Sequence, residues 1–332
     1  MVKADTLPKG KLRGEELRRI VLKHLPMLNE TASLSLDFSR IPATPRDIVI
    51  SCDPIIGIPP QYYGFSAIHV SGADIAVAGV KPRYLELGVY YPPDYPADWL
   101  DKNMHELGEE ARRLGIKIIG GHTGGYDGLT LPLISTTCIG IVEDKLLSSS
   151  EIKPDDKLII SGPVTHEMAV FLSFVESDKM RRLLGSKRTD ELRNGIRSLT
   201  VIEPALAAAH AGARAMHDVA EGGTSLALKE MSEASKLGIK LDYDEVPWSK
   251  EGLLALETYG ADPLSSSSFG SILIAAPEEH VGEIVEALQG FGRPAKEVGY
   301  FFEGKGVIVR KGEKESELEI RDDIYGQFTK KL

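Results

Sequence analysis

Asp53, Asp74 and Asp218 each lie in or beside an apolar run, where an ionised carboxylate is costly unless it is paired, hydrogen-bonded or bound to a metal. Asp53 closes the run Ile48-Val49-Ile50-Ser51-Cys52 and precedes Pro54, which stops a strand ladder and holds the acid extended at the strand end. A plain turn former is the other reading of an acid there. Asp74 sits among Ala73, Ile75, Ala76, Val77 and Ala78, in a small-residue helical stretch that also carries His69 and Ser71; a solvent-facing acid on an apolar helix is its alternative. Asp218 follows Met216-His217 and leads through Val219-Ala220-Glu221 into Gly222-Gly223-Thr224.

Two glycine pairs stand near these acids in the pattern. Lys117-Ile118-Ile119 breaks into Gly120-Gly121-His122-Thr123-Gly124-Gly125, read as a strand entering a loop over residues 122–130 between two core strands. Paired glycines let backbone N–H groups come close to a phosphate or ribose, although Gly-Gly also serves as a simple turn. Gly222-Gly223-Thr224, at the start of a helical run, presents free N–H groups and a positive dipole end to an anion. Asp218 and Glu221 beside it would repel bare phosphate, so the pattern calls for a cation between them. Magnesium fits, being a hard ion that takes one or two carboxylates and completes its octahedron with phosphate oxygens and water. An Asp/Thr helix cap is the structural alternative.

The elements that must position these residues follow from periodicity. Helices are expected over residues 14–25, 65–80, 97–114, 165–176 and 203–213, and after Gly223 up to Gly238. Strands are expected over 47–51, 84–91, 131–142 and 157–161, with a closing β region over 298–310. Residues 177–195 are dense in charge and read as a solvated helical segment. Ser265-Ser266-Ser267-Ser268 reads as a loop or as a substrate wall. The serine- and proline-containing stretch 148–156 divides the chain into domains 1–150 and 151–332.

The chain has 332 residues, 42% of them hydrophobic and 27% charged, which suits a two-domain globular protein with a large core. A net charge of −10 argues against a nucleic-acid surface, and the apolar runs are too short to span a membrane. Cys52 and Cys138 are the only cysteines and read as small core residues in a reducing cytoplasm. Scarce Asn and Gln beside plentiful Glu, Lys and Arg is a bias of proteins from hot environments.

Taken in order, Asp53-Pro54, Ser71-Gly72-Ala73-Asp74-Ile75-Ala76 with Gly79 and Pro82, Gly120-Gly121-His122-Thr123, His217-Asp218 with Gly222-Gly223, and Gly260-Ala261-Asp262-Pro263-Leu264 resemble the aminoimidazole ribonucleotide (AIR) synthase-related superfamily. The texture is that of its hydrogenase maturation factor HypE-like (PurM-like) members. The resemblance implies a two-domain α/β (α+β) subunit. Its N-terminal domain would pair into a β-barrel across a homodimer, and its C-terminal domain would be a mixed sheet with helices. It further implies ATP and Mg in a cleft between the halves. Asp53, Asp74 and Asp218 would handle metal and phosphates, with Asp74 and Asp218 as catalytic groups. Gly120, Gly121, His122, Thr123, Gly222 and Gly223 would contact the nucleotide.

The implied activity is phosphoryl transfer to, or phospho-activation of, a small molecule or a protein-borne amide-type group. The alternatives are a small-molecule kinase resembling thiamine-monophosphate kinase, and a non-catalytic nucleotide-binding partner in maturation. Three departures bear on this. The chain ends Gln327-Phe328-Thr329-Lys330-Lys331-Leu332, without the terminal cysteine on which HypE carries a carbamoyl group, so carbamoyl dehydration in that form is not expected. Selenophosphate synthesis is not expected either, since no cysteine lies in the N-terminal segment. That segment, over residues 34–45, holds Asp37 as its one acid. Gly124 stands where relatives tend to place an acid, with Asp127 as the nearest substitute.

Overall fold

The structure is a computed structural model that describes residues 39–41 and 46–328. The helix expected over 14–25, and Asp37, lie outside the described residues.

The N-terminal half is a five-stranded sheet of β1 (Ser39–Ile41), β2 (Ile48–Ile55), β3 (Pro82–Tyr91), β4 (Lys117–Gly125) and β5 (Leu133–Ile141), in the order β1-β2-β5-β3-β4. Helix α1 (Tyr63–Val77) follows β2, and α2 (Ala97–Leu114) makes the crossover that lets β4 pair parallel to β3. Alternation along β5 buries Ile134, Thr136 and Cys138 and leaves Ser135, Thr137 and Ile139 half-exposed on the other face. The same alternation carries Val49, Ser51, Asp53 and Ile55 on one face of β2 and Cys52 on the opposite one. Cys52 is therefore exposed, and only Cys138 is the core residue that composition suggested for both.

The C-terminal half holds β6 (Lys157–Ser161), α3 (His166–Val175), α4 (Ser177–Leu184), α5 (Ser186–Asn194), α6 (Ile202–His210), β7 (Ala215–Asp218), α7 (Gly223–Ser235), β8 (Gly238–Asp242) and α8 (Lys250–Glu257). It continues with β9 (Ile272–Ala276), α9 (Val281–Gln289), β10 (Ala295–Phe302), β11 (Val307–Lys311), β12 (Lys314–Glu317) and α10 (Tyr325–Phe328). Its sheet runs β12-β11-β8-β10-β6-β9-β7, with β8 and β11 parallel and the other pairs antiparallel. β6 and β9 read as continuous apolar runs because both faces are covered. Ile159, Ile272 and Ile274 face one cluster with α6 and α9, while Leu158, Ile160, Leu273 and Ala275 face another with α7.

Helix α1 joins the halves. It is apolar nearly all round, and a helix of that kind must be buried on every side. Its Ala67, Ile68, Ala73 and Ile75 share one core with Ile202, Ala205 and Met216 of the C-terminal half. A polar clamp reinforces the joint. Buried His69 on α1 lies 3.2 Å from Glu110 on α2 and 2.7 Å from the Thr200 hydroxyl. This network assigns the tautomer in which Nε2–H donates to Glu110 and Nδ1 accepts from Thr200.

Two sequence expectations change. The glycine motif is not a loop between core strands: β4 continues through Gly125 as an exposed edge strand, and Ile118 and Ile119 are open to solvent. The helix expected up to Gly238 stops at Ser235. Lys236, in the left-handed region, ends that helix, and Gly238 opens β8 because a Cβ there would strike the Phe302 ring.

Candidate active site between the halves

Two of the expected acids converge. Strand alternation puts Ser51 and Asp53 on the face of β2 that meets α1, and α1 presents Asp74 to the same place. The Ser51 hydroxyl lies 3.1 Å from Asp53 Oδ2 and also bonds Asp74 Oδ2. A hydroxyl has one proton to donate, so Ser51 cannot satisfy both carboxylates at once. Two acids drawn to one oxygen favour a cation between them. Beneath them Thr136 donates to Ser71 Oγ at 3.0 Å, which fixes α1 on β5.

Asp218 ends β7 in the C-terminal half and is buried. Its backbone oxygen accepts from His217 Nδ1 at 2.7 Å, and His217 Nε2 lies 3.2 Å from Glu230, so the histidine anchors the strand end to α7. The chain after Asp218 and the chain after Asp53 reach one cavity of about 190 Å³, whose walls include Pro54, Ile55, Ala220 and Glu221. Among the described residues no three His, Cys, Asp or Glu side chains are grouped as a ready-made metal site. The hard oxygen donors of Asp53 and Asp74 suit a magnesium ion that draws its remaining ligands from phosphate and water.

The second glycine motif is engaged within the protein. Gly222 is left-handed (φ 88°) and its N–H donates to Asp323 Oδ2 at 3.1 Å, while Gly223 N–H donates to Ala220 O at 3.0 Å. These are not the free donors expected from sequence. Gly223 is required for close packing, since a Cβ would lie 2.5 Å from Ser266 O. Gly121 is similar: β3 and β4 shift register just before the pair, at Ile119, and a Cβ on Gly121 would lie 2.0 Å from Leu87 O. Gly124, where an acid was looked for, leaves room for His122 Nε2 to meet the Tyr126 hydroxyl at 2.5 Å. Asp127 and Thr123 are exposed near that edge.

Four residues at the cleft escaped sequence reasoning. Ser51 was findable, two positions before Asp53 on a strand. Glu167 lies in the first turn of the mostly apolar α3 and lines the cavity, with Ser267 Oγ and Phe269 N each donating to its Oε2 at 2.6 Å. Burial pushes its carboxyl up to about 7 against those two hydrogen bonds. Burial also raises the Asp323 carboxyl and the Tyr325 phenol. Tyr325 stacks on Phe171 and donates to Gly57 O at 2.9 Å, tying the end of the described chain to the N-terminal half. No sequence signal marks Asp323 or Tyr325, because tertiary packing alone brings them there. Of the serine run, Ser267 lines the cavity.

The model of the AIR synthase related protein N-terminal domain matches residues 38–142, and that of the C-terminal domain matches residues 153–312. The chain belongs to the AIR synthase-related family. Among relatives, a Methanocaldococcus jannaschii protein assigned to hydrogenase expression or formation is 28% identical over 313 residues, 90% of this chain and 91% of the relative. The carbamoyl dehydratase HypE of Azotobacter vinelandii is 26% identical over 303 residues, 87% and 85% of the two chains. Among solved structures, HypE in its complex with HypF superposes with a TM-score of 0.75 at 19% identity, over 92% of this chain and 99% of that one. HypE in complex with ATP gives 0.68 at 20% identity, over 92% of each chain. The two-domain mixed α/β architecture is thus that of the AIR synthase-related, PurM-like fold. No described helix is long and apolar enough to cross a membrane.

Proposed function

We propose that this AIR synthase-related protein binds ATP with magnesium at the cleft and transfers the γ-phosphoryl group to an oxygen of a small molecule or a protein-borne amide-type group. The observation that carries the reading is the meeting of Asp53 and Asp74 at one Ser51 hydroxyl, beside the cavity that Ala220 and Glu221, just after Asp218, line from the other half. Asp53, Asp74 and Asp218 would hold the magnesium, which supplies charge neutralisation on the phosphates. Asp74 and Asp218 would be the catalytic groups. Gly120, Gly121, His122 and Thr123 would reach the nucleotide along β4; Gly222 would do so once Asp323 gives way, and Gly223 once its bond to Ala220 O opens.

The reading includes a homodimer closed through the half-exposed face and the β4 edge, where Ile118 and Ile119 lie open. The HypE–HypF complex supports a maturation partner protein for this chain as well.

Titration calorimetry with Mg-ATP on wild type and Asp74→Ala tests the core of the proposal. Wild type binds and the variant loses at least about tenfold, or some 1.4 kcal/mol. Absence of wild-type binding rejects the reading. Phosphorus NMR of the products then separates a kinase, which leaves a stable phosphorylated acceptor, from dehydration, which ends in inorganic phosphate.

A further inference from the structure

The cavity between the halves has apolar walls and acidic polar groups. Phe65, Val170, Phe171, Leu199 and Phe269 are among the walls, and among the described residues no lysine, arginine or histidine lines it. Glu167 enters from α3, half-buried, and lines the cavity. Both of its hydrogen bonds, from Ser267 and Phe269, fall on Oε2, so its remaining acceptor capacity lies on Oε1. Among the described residues Asp323 is the charged group that acts on it, and Glu221 and Tyr325 share the cavity wall, so its surroundings bring negative or neutral character. A carboxylate in such surroundings gains most from a ligand that supplies both a positive donor and apolar surface.

We infer that this cavity binds a small single-ring amine, with the ammonium group on Glu167 and the ring against Phe171 and Phe269. Its volume of about 190 Å³ sets the size. An apolar cavity of about 150 Å³ holds benzene, so one ring with a short aminoalkyl arm fills the space. The cavity adjoins Pro54, next to the proposed phosphate site, so an amine of this class whose ring also bears a hydroxyl would offer ATP the oxygen that accepts the phosphoryl group. That last step rests on the nucleotide reading; the binding itself does not. Burial holds the Glu167 carboxyl at about 7, so an ammonium ligand must displace its proton and binds more tightly as pH rises through that value.

The test is titration calorimetry of phenethylamine and of neutral 2-phenylethanol against the full chain without nucleotide, at pH 6 and pH 8. The amine is protonated at both values, as primary amines titrate near 10. The expected result is amine binding that is about tenfold tighter at pH 8, the change in the ionised fraction of a group with pKa near 7. The alcohol is expected to bind at least about tenfold more weakly at pH 8. Glu167→Gln, its fold checked by thermal unfolding, loses the preference for amine and the pH dependence together. The wild-type arms need no variant. Equal binding of amine and alcohol, no binding of either, or full amine affinity in Glu167→Gln overturns the inference. Mg-ATP binding without amine binding rejects this site and leaves the nucleotide reading standing; amine binding without Mg-ATP binding does the reverse.

Discussion

The Asp323 carboxylate accepts the backbone N–H of Gly222 at 3.1 Å, and so places an anion of the protein's own at the start of α7. A phosphate oxygen bound there must displace it. Asp323→Ala is therefore expected to tighten Mg-ATP binding about three- to tenfold, or roughly 0.7–1.4 kcal/mol. Calorimetry reads this directly. An unchanged affinity would show that the nucleotide does not use Gly222.

Asp53 and Asp74 share one hydroxyl, and like charges held that close oppose folding. Asp74→Asn removes one charge and keeps the shape. Its melting temperature without ligand should equal or exceed that of wild type, while Mg-ATP affinity falls at least about tenfold. A fall in both would identify Asp74 as a purely structural group.

The His69 clamp predicts acid sensitivity. Burial lowers the His69 pKa, so below about pH 6.5 the unfolded chain takes up a proton that the folded chain refuses, and stability falls with pH. The hydrogen bond from His69 is the main cause that holds Glu110 down at about 2, against 4.5 ordinarily. Its contribution is present above about pH 4.5 and is lost on acidification toward 2. Urea unfolding at a series of pH values should show both losses, and His69→Gln should remove the first. His69→Ala should cost about 2–4 kcal/mol at neutral pH, through lost packing and the bonding partners left at Glu110 and Thr200.

Neighbouring glycines of β4 should respond in opposite ways. A Cβ at Gly121 would collide with the Leu87 carbonyl, whereas one at Gly120 meets nothing within 4 Å. Gly121→Ala is expected to destabilise by about 2 kcal/mol or more, and Gly120→Ala by less than about 0.5. Comparable midpoints in denaturant would contradict the strand register seen here.

Much of this was legible in the sequence because local rules and packing agreed. The amphipathic stripe of α2 predicts its bounds over 97–114, where Gly115 caps the end in a left-handed conformation. The run over 157–161 is a strand with those same limits. The β4 glycines misled because Gly-Gly signals a turn, while here they stay paired with Glu86 and Leu87 in an edge strand whose register shifts at Ile119 just before them. Cys52 misled because its apolar neighbours hide the alternation that turns it outward. At the cleft, Asp53 and Asp74 stood out as acids in apolar runs. Asp323 carries no such mark, since it meets Gly222 across about a hundred positions of chain.

The burial of α1 by both halves makes the two family domains poor units of folding. Excising residues 151–332 would strip Ile202, Ala205 and Met216 of their cover and expose the core they share with Ile68 and Ile75. The protein should melt in a single calorimetric transition, and cleavage between β5 and β6 should leave two fragments that stay together in solution and cannot refold apart.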